Sequence, residues 1–466
     1  MQAIRGRIAT RGLAPGERLP SIRGLAAAMG VSPSTVVEAY ERLAAEGAVR
    51  SRPGSGFYAA SAAPPPTLAE IGPRLDRAVD PLWVSRQSLD GEPAMPKPGC
   101  GWLPAEWMPL ASLRRAARAL AKAEDAVLTD YGATRGPLPL RRLLARQFAE
   151  EGLGVGPDRI LLTGSGTQGV DLICRLLVRP GDTVLVDDPC YFNFQALLRA
   201  HRAEVVGVPY TPAGPDPERF AEAAAAHRPR LYVTNSALHN PTGATLAPAV
   251  AHRILNAAAA HDVVIVEDDI FAPFEPEPSP RLAALDGLER VIRIGSFSKT
   301  LSASIRCGYV VAKAEWIEAL IDLQVATSFG GVSPVAAELV AGAIGDGQYR
   351  KHLESLRRRL ARARRESAER LADLGIRPWL MPRGGFYLWC TLPDGRDAAA
   401  VARAALREGV VLAPGDVFSV SRTASPCMRF NVAQMADERV MPVLRRALAA
   451  QAGPVVRAVG LEPTYP

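Results

Sequence analysis

The chain is poor in paired cysteines, long apolar runs and targeting signals. Its six cysteines are scattered through 466 residues, with neither a C-x-x-C pair nor a metal-ligand spacing, which excludes a disulfide scaffold and predicts reduced thiols. No apolar run approaches the roughly 20 residues that a membrane helix needs. The arginine-rich start, residues 1–11, lacks the apolar segment of a secretory signal. We therefore expect a cytoplasmic protein without a metal site or a membrane span.

Lysine is also scarce, with five residues against fifty arginines. One of them, Lys299, lies close to hydroxyls at Ser296 and Ser298 and to a cation at Arg306. A lysine amine can form a Schiff base once burial or a neighbouring cation lowers its pKa, whereas a guanidinium stays protonated. Lys299 is thus a candidate for chemistry that arginine cannot perform. The alternative is an ordinary surface lysine on a loop.

Positive charge is concentrated at the N-terminus. The chain carries a net +7, and its first 60 residues, with eight arginines and four glutamates, carry +4 of it. A small basic head on a nearly neutral body is typical of a domain that meets a polyanion. The length exceeds what one hydrophobic core usually supports, so we expect two or three domains.

The basic head contains two short helices and a hairpin. We expect the helices over residues 21–30 and 32–47, with serines as N-caps and glycines at their ends, and the hairpin over residues 50–58. This is the layout of a helix-turn-helix with a wing, whose second helix enters the major groove. The alternative is a small helical cap without a DNA-binding role. Three residues on the outward face of the second helix would then face the base edges of the DNA: Ser34, Thr35 and Glu38.

Four segments of the head resemble the winged helix of GntR-type bacterial regulators. They are PGERLPSIR (15–23), VSPSTV (31–36), AYERLAAEG (39–47) and RPGSG (52–56). The resemblance covers nearly all of residues 5–60 and implies binding to double-stranded operator DNA. The family's first helix usually begins before the position of Met1, so either the start is misassigned or that helix is truncated. The implied DNA-binding residues are Arg18, Ser21, Arg23, Ser32, Ser34, Thr35, Arg50, Arg52 and Gly54.

Proline marks the region after the head. Residues 61–97 include a triple proline at 64–66 and several single prolines, and such stretches are semi-rigid spacers. We therefore predict a winged helix-turn-helix over residues 1–60, a linker over 61–97, a body over 98–453 and a tail over 454–466.

From residue 158 the chain alternates short β-branched runs with helical stretches, which predicts βαβ units and a mainly parallel sheet. Strands are expected at 160–162, 183–186, 231–233, 263–266 and 291–294. Ligands of such sheets bind beyond the carboxyl ends of the strands, and each expected strand is followed by a polar motif. The motifs are GSGTQ (164–168), DDPCY (187–191), HNPTG (239–243), EDD (267–269) and SFSK (296–299).

One of these motifs favours a different cofactor. Gly164, Gly166 and Gly169 match the dinucleotide fingerprint G-x-G-x-x-G between a strand and a helix, and Asp187 follows about 20 residues later. This pattern would fit an NAD-dependent oxidoreductase. It leaves Lys299 and the Asn-Pro-Thr-Gly turn without a role, and it remains a remote alternative.

Together the motifs resemble fold-type I enzymes that use pyridoxal 5'-phosphate (PLP), the aspartate aminotransferase class, over residues from about 98 to 450. The resemblance implies an α/β fold with a mainly parallel sheet and a smaller C-terminal α+β part. It implies that Lys299 forms a Schiff base with PLP and that Asp268 pairs with the pyridine nitrogen. The phosphate would be bound by Gly166, Thr167, Gln168, Ser296, Ser298 and Arg306.

The same resemblance implies four further roles. Tyr191 would stack on the ring and Asn240 would donate to its 3'-oxygen. Tyr131 would reach the phosphate in the neighbouring subunit. Arg429 would bind a substrate α-carboxylate with two parallel hydrogen bonds.

Two positions depart from the family pattern. A tyrosine usually stands two or three residues after the aspartate, where this chain has Ile270 and Phe271. Without that hydroxyl the ionised 3'-oxygen loses a donor, which predicts a more basic Schiff base. Residues 302–304 read Ser-Ala-Ser where the family prefers Ala-Pro-Gly. Both departures predict a site that binds PLP and turns over poorly.

A winged helix joined to an aminotransferase-like body resembles the MocR-type GntR regulators. The resemblance implies a transcriptional regulator whose effector is PLP, or an amino compound bound to it, and a head-to-tail homodimer. The alternative is a PLP-dependent aminotransferase acting on an amino acid, with a vestigial or autoregulatory head. Lys299 is the reacting lysine in both.

Overall fold

The computed structural model describes residues 16–45, 48–52, 55–59, 80, 82–345 and 347–451. The chain divides into two compact units, residues 1–72 and 73–466. Residues 1–15, where the family's first helix would end, lie outside the described residues, as do Gly54, most of the expected linker and the tail at 454–466.

The first unit is a helix-turn-helix followed by a hairpin. Its elements are α1 (Ile22–Met29), α2 (Pro33–Ala45), β1 (Val49–Arg52) and β2 (Gly56–Ala59), and the two strands pair antiparallel. Ser21 caps α1 by accepting a hydrogen bond from the Gly24 N–H at 3.1 Å, and Gly30 ends the helix with φ 64°. The expected winged helix-turn-helix is confirmed.

A small apolar core holds this unit together. Val36, Tyr40 and Leu43, which follow helical spacing along α2, are buried. The Tyr40 hydroxyl donates to the Pro20 carbonyl at 2.8 Å, so the polar end of this buried ring is satisfied. On α1 only Ala26 is buried, and Met29 is exposed.

An eight-stranded sheet forms the centre of the second unit. Its strands are β3 (Ile160–Thr163), β4 (Thr183–Asp188), β5 (Glu204–Thr211), β6 (Gly214–Pro215), β7 (Leu231–Thr234), β8 (Val264–Asp268), β9 (Val291–Ser296) and β10 (Gly308–Val311). The order is β3-β10-β9-β8-β7-β4-β5-β6. Neighbours from β9 to β5 are parallel, whereas β10 is antiparallel to both neighbours and β6 to β5. The mainly parallel sheet is confirmed, and the five expected strands are present.

Helices cover both faces of this sheet. Alternate strand residues belong to two separate buried clusters, with Leu161 and Val184 in one and Leu162 and Leu185 in the other, as the two-residue period of a strand requires. The flanking helices are α4 (Leu110–Leu120), α5 (Asp125–Thr129), α6 (Leu138–Glu150), α7 (Gly166–Leu177), α8 (Phe192–Ala200), α9 (Pro217–His227), α10 (Pro248–Ala260), α11 (Leu282–Asp286), α12 (Ala314–Ser328) and α13 (Pro334–Ile344).

The C-terminal part is a smaller α+β layer, as expected. A four-stranded antiparallel sheet, ordered β11-β12-β14-β13, packs with three helices around a third buried cluster. Its elements are β11 (Arg377–Pro378), β12 (Tyr387–Thr391), β13 (Ala413–Pro414), β14 (Cys427–Asn431), α14 (Gln348–Ala372), α15 (Ala398–Arg407) and α16 (Val440–Ala449). No helix in the described part of the chain is both long and apolar enough to cross a membrane.

Part of the stretch predicted as linker is packed into the second unit. The helix α3 (Trp83–Asp90) buries Trp83 and Val84 in the cluster of the C-terminal layer. The chain then runs to Gly99, whose N–H donates to the Val411 carbonyl at 2.8 Å. Composition alone could not show this, because proline content reports local stiffness and not whether neighbouring apolar residues find a core.

Candidate cofactor site and nucleic-acid interface

The first unit presents its expected DNA-binding side chains on the surface. Arg23 on α1 and Arg50 and Arg52 on β1 are exposed, and the Arg52 guanidinium lies 4.7 Å from the centre of the Tyr58 ring. Such cations and hydroxyls are the groups that contact phosphates and base edges. Gly54 is outside the described residues. The other expected residues, all exposed, are Arg18, Ser21, Ser32, Ser34 and Thr35.

Three hydroxyls converge where α2 begins. Ser32 Oγ lies 2.8 Å from both Ser34 Oγ and Thr35 Oγ1, and it accepts a hydrogen bond from the Thr35 N–H at 3.2 Å. Ser32 thus caps the helix, as the sequence predicts. The cluster stabilises the helix end that a recognition helix presents to base edges.

The second unit has a cavity of about 250 Å³ at the carboxyl rim of the main sheet. Because β3, β7, β8 and β9 point the same way, the turns that follow them meet at this rim. Most of the residues predicted to bind the cofactor line this cavity, which we call the Lys299 cavity. These are Gly166, Thr167, Tyr191, Asn240, Asp268, Ser296, Ser298, Lys299 and Arg306, and Arg429, predicted to bind a substrate carboxylate, lines it as well.

Lys299 reaches the cavity from the turn after β9. Its Nζ donates to the Gly101 carbonyl oxygen at 2.6 Å. The pKa of Lys299 is lowered to about 8, chiefly by burial; the cations Arg429 and Arg306 act in the same direction, against the opposing effects of Cys100 and Asp268. A substantial share of the amine is therefore neutral near physiological pH and able to attack a carbonyl.

Asp268 is the last residue of β8 and is buried. One carboxylate oxygen accepts a hydrogen bond from the Ile270 N–H at 3.2 Å. Burial raises the pKa of Asp268 to about 6, and the adjacent Asp269 carboxylate contributes to the rise. A cation placed beside this carboxylate would stabilise its ionised form, so the position suits a protonated ring nitrogen.

The turn into α7 forms one end of the cavity. Ser165 caps this helix by accepting from the Gln168 N–H at 3.0 Å, and the residues at its first turn, Gly166 and Thr167, line the cavity. The N-terminus of a twelve-residue helix attracts anions. Space at the turn is tight, since a Cβ on Gly308 of β10 would lie 2.7 Å from the Ser165 carbonyl carbon.

Gln168 does not fit its predicted role. Its side-chain oxygen accepts from the Gly164 N–H at 2.6 Å, and its amide nitrogen donates to Ser328 Oγ at 3.2 Å. Its backbone N–H is already taken by Ser165. Both side-chain groups of Gln168 and its N–H are thus engaged within the described part of the chain, and Gln168 does not line the Lys299 cavity.

Hydroxyls and a cation face this turn from β9 and the following loop. Ser296 Oγ donates to the Cys307 carbonyl at 3.1 Å and accepts from the Ser298 N–H at 3.2 Å. Arg306 is exposed and has φ 57°, a left-handed conformation that sets the direction of its side chain. Together with the N-terminus of α7 they provide the donors and the positive charge that an anion site requires.

Asn240 and Arg429 meet at the other side of the cavity. Arg429 Nη1 donates to Asn240 Oδ1 at 2.7 Å, and Nη2 donates to the Gly99 carbonyl at 2.8 Å. The guanidinium lies 4.1 Å from the centre of the Tyr387 ring and 4.7 Å from that of Phe418. Its Nε has no hydrogen-bond partner among the described residues, which leaves a buried donor for a bound anion.

The HNPTG turn that carries Asn240 is held by a buried network. The Asp187 carboxylate accepts from the Tyr232 hydroxyl, from Thr234 Oγ1 at 2.8 Å, and contacts His239 Nε2 at 3.2 Å. His239 Nδ1 lies 2.8 Å from Thr242 Oγ1. Asp187 is 1% exposed and fully engaged, so it cannot bind the ribose hydroxyl that the NAD alternative requires.

Tyr387 is a cavity residue that the sequence motifs do not predict. A Cβ on Gly101 would lie 3.2 Å from its hydroxyl oxygen and 3.7 Å from Lys299 Nζ, so both groups lie close to Gly101. Ile270 and Phe271 do line the cavity, and Phe271 packs 5.5 Å from the Tyr387 ring. Phe271, at one of the two positions where the family has a tyrosine, thus packs against Tyr387 of β12. No local motif predicts this contact.

Tyr131 lies away from the residues that line the cavity. It is 72% exposed, and its ring centre is 5.0 Å from that of Phe329. It is not among the described residues that line the Lys299 cavity.

The donor set around the cavity fits PLP. A partly neutral amine, a buried carboxylate and a helix N-terminus with hydroxyls and a cation match its aldehyde, its ring nitrogen and its phosphate. The unpartnered Nε of Arg429 leaves a donor for a ligand carboxylate.

A family model described as aminotransferase class I and II matches residues 104–446. The chain belongs to the aminotransferase class I and II family. A second model, described as bacterial regulatory proteins of the gntR family, matches residues 1–59. A GntR head and an aminotransferase class I and II body are therefore fused in one chain.

The relatives of this chain include proteins named as transcriptional regulators and proteins named as aminotransferases. It is 29% identical over 451 residues to the uncharacterized HTH-type transcriptional regulator YdcR of Escherichia coli, covering 94% of this chain and 95% of the relative. It is 28% identical over 361 residues to aromatic-amino-acid aminotransferase 1 of Thermococcus litoralis, covering 74% of this chain and 85% of the relative. The match to the regulator thus includes nearly the whole chain, and the match to the enzyme about three quarters of it.

A solved structure resembles the body of this chain. LysN, an alpha-aminoadipate aminotransferase from Thermus thermophilus complexed with N-(5'-phosphopyridoxyl)-L-leucine, superposes with a TM-score of 0.71. The sequences are 26% identical, and the match covers 79% of this chain and 94% of that one. The fold type I assignment is confirmed.

Proposed function

We propose that this protein is a DNA-binding transcriptional regulator of the MocR type that binds PLP. The effector is PLP itself or an amino compound bound with it. One observation carries the proposal. A winged helix with exposed cations is fused, in one chain, to a body in which Lys299 lines a cavity whose side chains fit PLP. The full-length match to a protein named as a transcriptional regulator supports it.

The residues of the body have separate tasks toward the cofactor. PLP, when bound, supplies a reactive aldehyde and an electron-withdrawing ring. Lys299 would hold it covalently, and Asp268 would keep the ring nitrogen protonated. The phosphate would be bound by Gly166, Thr167, Ser296, Ser298 and Arg306. Tyr191 and Asn240 would position the ring, and Arg429 would bind the carboxylate of an amino acid.

Regulation requires that the ligand interact differently with two arrangements of the protein. The ligand binds in the second unit and the operator in the first, so the two sites are distinct. We propose that the cytoplasmic protein works as a head-to-tail homodimer in which Tyr131 reaches the partner subunit's phosphate site. The exposed apolar side chains of Leu128, Tyr131, Leu138 and Phe329 support a covered face there.

A gel shift on the DNA upstream of the protein's own coding sequence, with and without PLP, tests the regulator. We expect sequence-specific binding that changes at least several-fold with PLP. Lys299→Ala should abolish the response to PLP and keep the basal shift, whereas Lys122→Ala, at an exposed lysine, should change neither. Operator binding that is indifferent to PLP, or that survives Arg23→Ala with Arg52→Ala, would contradict the proposal.

An aminotransferase is the second candidate, and the lowered pKa of Lys299, about 8, favours it. A lysine that is partly neutral at physiological pH can move a proton as a general base. Multiple turnovers of an amino donor with a keto acid, lost in Lys299→Ala, would establish this activity. The lack of a hydroxyl at Ile270 and Phe271 predicts slow turnover.

A further inference from the structure

The Lys299 cavity contains few charged side chains. Among the described residues that line it, the charged ones are Asp268, Lys299, Arg306 and Arg429. Under the proposed function the first three serve the cofactor and Arg429 binds an α-carboxylate. No charged side chain of the described lining is left for a second ionic group on the ligand.

The helix α3 supplies an uncharged wall to this cavity. Val84, Ser85, Ser88 and Leu89 line it, while the two charged residues of the helix, Arg86 and Asp90, pair with each other at 3.9 Å outside the lining. Charge is thus present on α3 and is directed away from the cavity.

Two side chains of this wall have unsatisfied surfaces: one is an exposed apolar side chain, and the other is a buried hydroxyl without a hydrogen bond. Leu89 is 72% exposed although it lines a cavity, so its apolar surface is available for a ligand to cover. Ser88 is 1% exposed, and its Oγ has no hydrogen-bond partner among the described residues. A buried hydroxyl of this kind is unfavourable until something bonds to it.

Aromatic and aliphatic side chains continue the wall from α8. Phe192 and Leu197 line the same cavity, and Phe192 packs 5.3 Å from the ring of Phe418. Apart from the uncharged amide of Asn193 and isolated hydroxyls, the surface that α3 and α8 contribute to the cavity is therefore apolar.

We infer that the ligand bound together with the cofactor is an α-amino acid with an uncharged, largely apolar side chain that contacts α3. The inference rests on the proposed function, since it takes PLP and Arg429 as the anchors of the amino and carboxylate groups. A second carboxylate or an ammonium on the side chain would find no free opposite charge among the described residues of this chain that line the cavity, and burying it unpaired is costly. An aliphatic or thioether side chain would cover Leu89 and Phe192 instead.

The segment that forms this wall also leads back to the head along the chain. The helix α3 begins at Trp83, ten residues after the second unit begins at residue 73. A ligand side chain that contacts α3 would therefore contact an element of the second unit that is close in sequence to the first unit.

Titration of the PLP-loaded, full-length protein with amino acids tests the class of ligand. The readout is the change in the visible absorbance of the bound cofactor, which reports binding and requires no turnover. We expect the dissociation constant for L-leucine to be at least tenfold lower than those for L-glutamate and L-lysine. Equal or tighter binding of glutamate or lysine, or no spectral change with any of the three, would overturn the inference.

A charge introduced into the wall provides the matched variant. Leu89→Arg should strengthen glutamate binding at least fivefold and weaken leucine binding, because it adds the cation that the wall lacks. Leu285→Arg makes the same change at another exposed leucine that does not line the cavity, and it should alter neither constant. An unchanged glutamate constant in Leu89→Arg would contradict contact with α3. The regulator itself is judged separately, by the effect of PLP alone on the operator shift.

Discussion

Lys299 lies where burial and two cations act against its charge. The Gly101 carbonyl accepts its hydrogen bond, and Arg429 and Arg306 oppose a second positive charge in the same cavity. The pKa of Lys299 falls from an ordinary 10.5 to about 8 mainly because the cavity removes water from the amine. This residue therefore owes its reactivity to its surroundings and not to its place in a motif.

The lowered pKa predicts how cofactor capture depends on pH. Only the neutral amine attacks the aldehyde, so the rate at which cofactor-free protein acquires visible absorbance on addition of PLP should rise with pH, with a midpoint near 8. The pKa of Asp268, raised to about 6, lies below this range, so its carboxylate is ionised throughout the rise. Stopped-flow absorbance measures the rate, and Lys299→Ala is the control without a covalent band. A midpoint close to the 10.5 of a free lysine would contradict the assignment.

Residue roles could be predicted from sequence where a motif determines the backbone. The SFSK and HNPTG motifs brought Lys299 and Asn240 to the expected cavity. Gln168 could not be predicted, because its amide binds Ser328, which is 160 residues away in the chain. Tyr387 was missed for the same reason, since its place beside Lys299 depends on how the C-terminal layer packs.

At the scale of elements, the direction of a strand was harder to predict than its presence. The five expected strands are present within two residues of their expected ends. The strand β10 was not expected: it has four residues, and its antiparallel place between β3 and β9 follows from tertiary pairing and not from local pattern. Nothing in the run Gly-Tyr-Val-Val distinguishes the two directions.

The end of β8 is anchored by buried charge on the side away from the Lys299 cavity. Asp269 lies 2.8 Å from Arg281 Nε and 2.5 Å from Arg293 Nη2, and Arg281 also pairs with Glu275 at 2.5 Å. Buried pairs gain little net stability, but breaking one leaves an uncompensated charge. This network therefore holds the strand end that positions Asp268.

The helix α3 gives a prediction about stability. Trp83 is fully buried, so Trp83→Ala should lower the free energy of unfolding of the second unit by about 3–5 kcal/mol. Leu89→Ala, on the same helix at a 72% exposed position, should change it by less than about 0.5 kcal/mol. Urea denaturation followed by far-UV circular dichroism measures both. Similar midpoints for the two variants would show that α3 is not part of this core.

At the scale of the whole molecule, the net positive charge is distributed unevenly between the head and the body. The first 60 residues hold more than half of the net +7, and this imbalance, together with the fusion of two families, could be predicted from the sequence. The boundary could not be placed: α3 lies inside the expected linker, because its apolar side chains find their core only in the folded C-terminal layer.

The basic head should make operator binding strongly dependent on salt. Each phosphate neutralised by a cation contributes about −0.9 to the slope of log K against log salt. Arg50→Ala, at an exposed position on β1, should reduce the magnitude of that slope by about one and weaken binding at low salt. Arg118→Ala, at an exposed arginine of the second unit, is the control. Fluorescence anisotropy over a salt series gives the slopes, and identical slopes for both variants would remove Arg50 from the interface.

Two glycines beside the start of α7 leave no room for a side chain. A Cβ on Gly308 would press on the backbone of Ser165 and Gly166, and one on Gly295 would meet the ring of Tyr309. The Ser165 and Gly166 backbone cannot move aside easily, so a side chain at Gly308 would displace the turn that starts α7. The wall on α3 consists of side chains on a single helix and can be replaced without disturbing that turn. Substitutions in the α3 wall should therefore change which ligand is accepted and leave the turn that starts α7 in place.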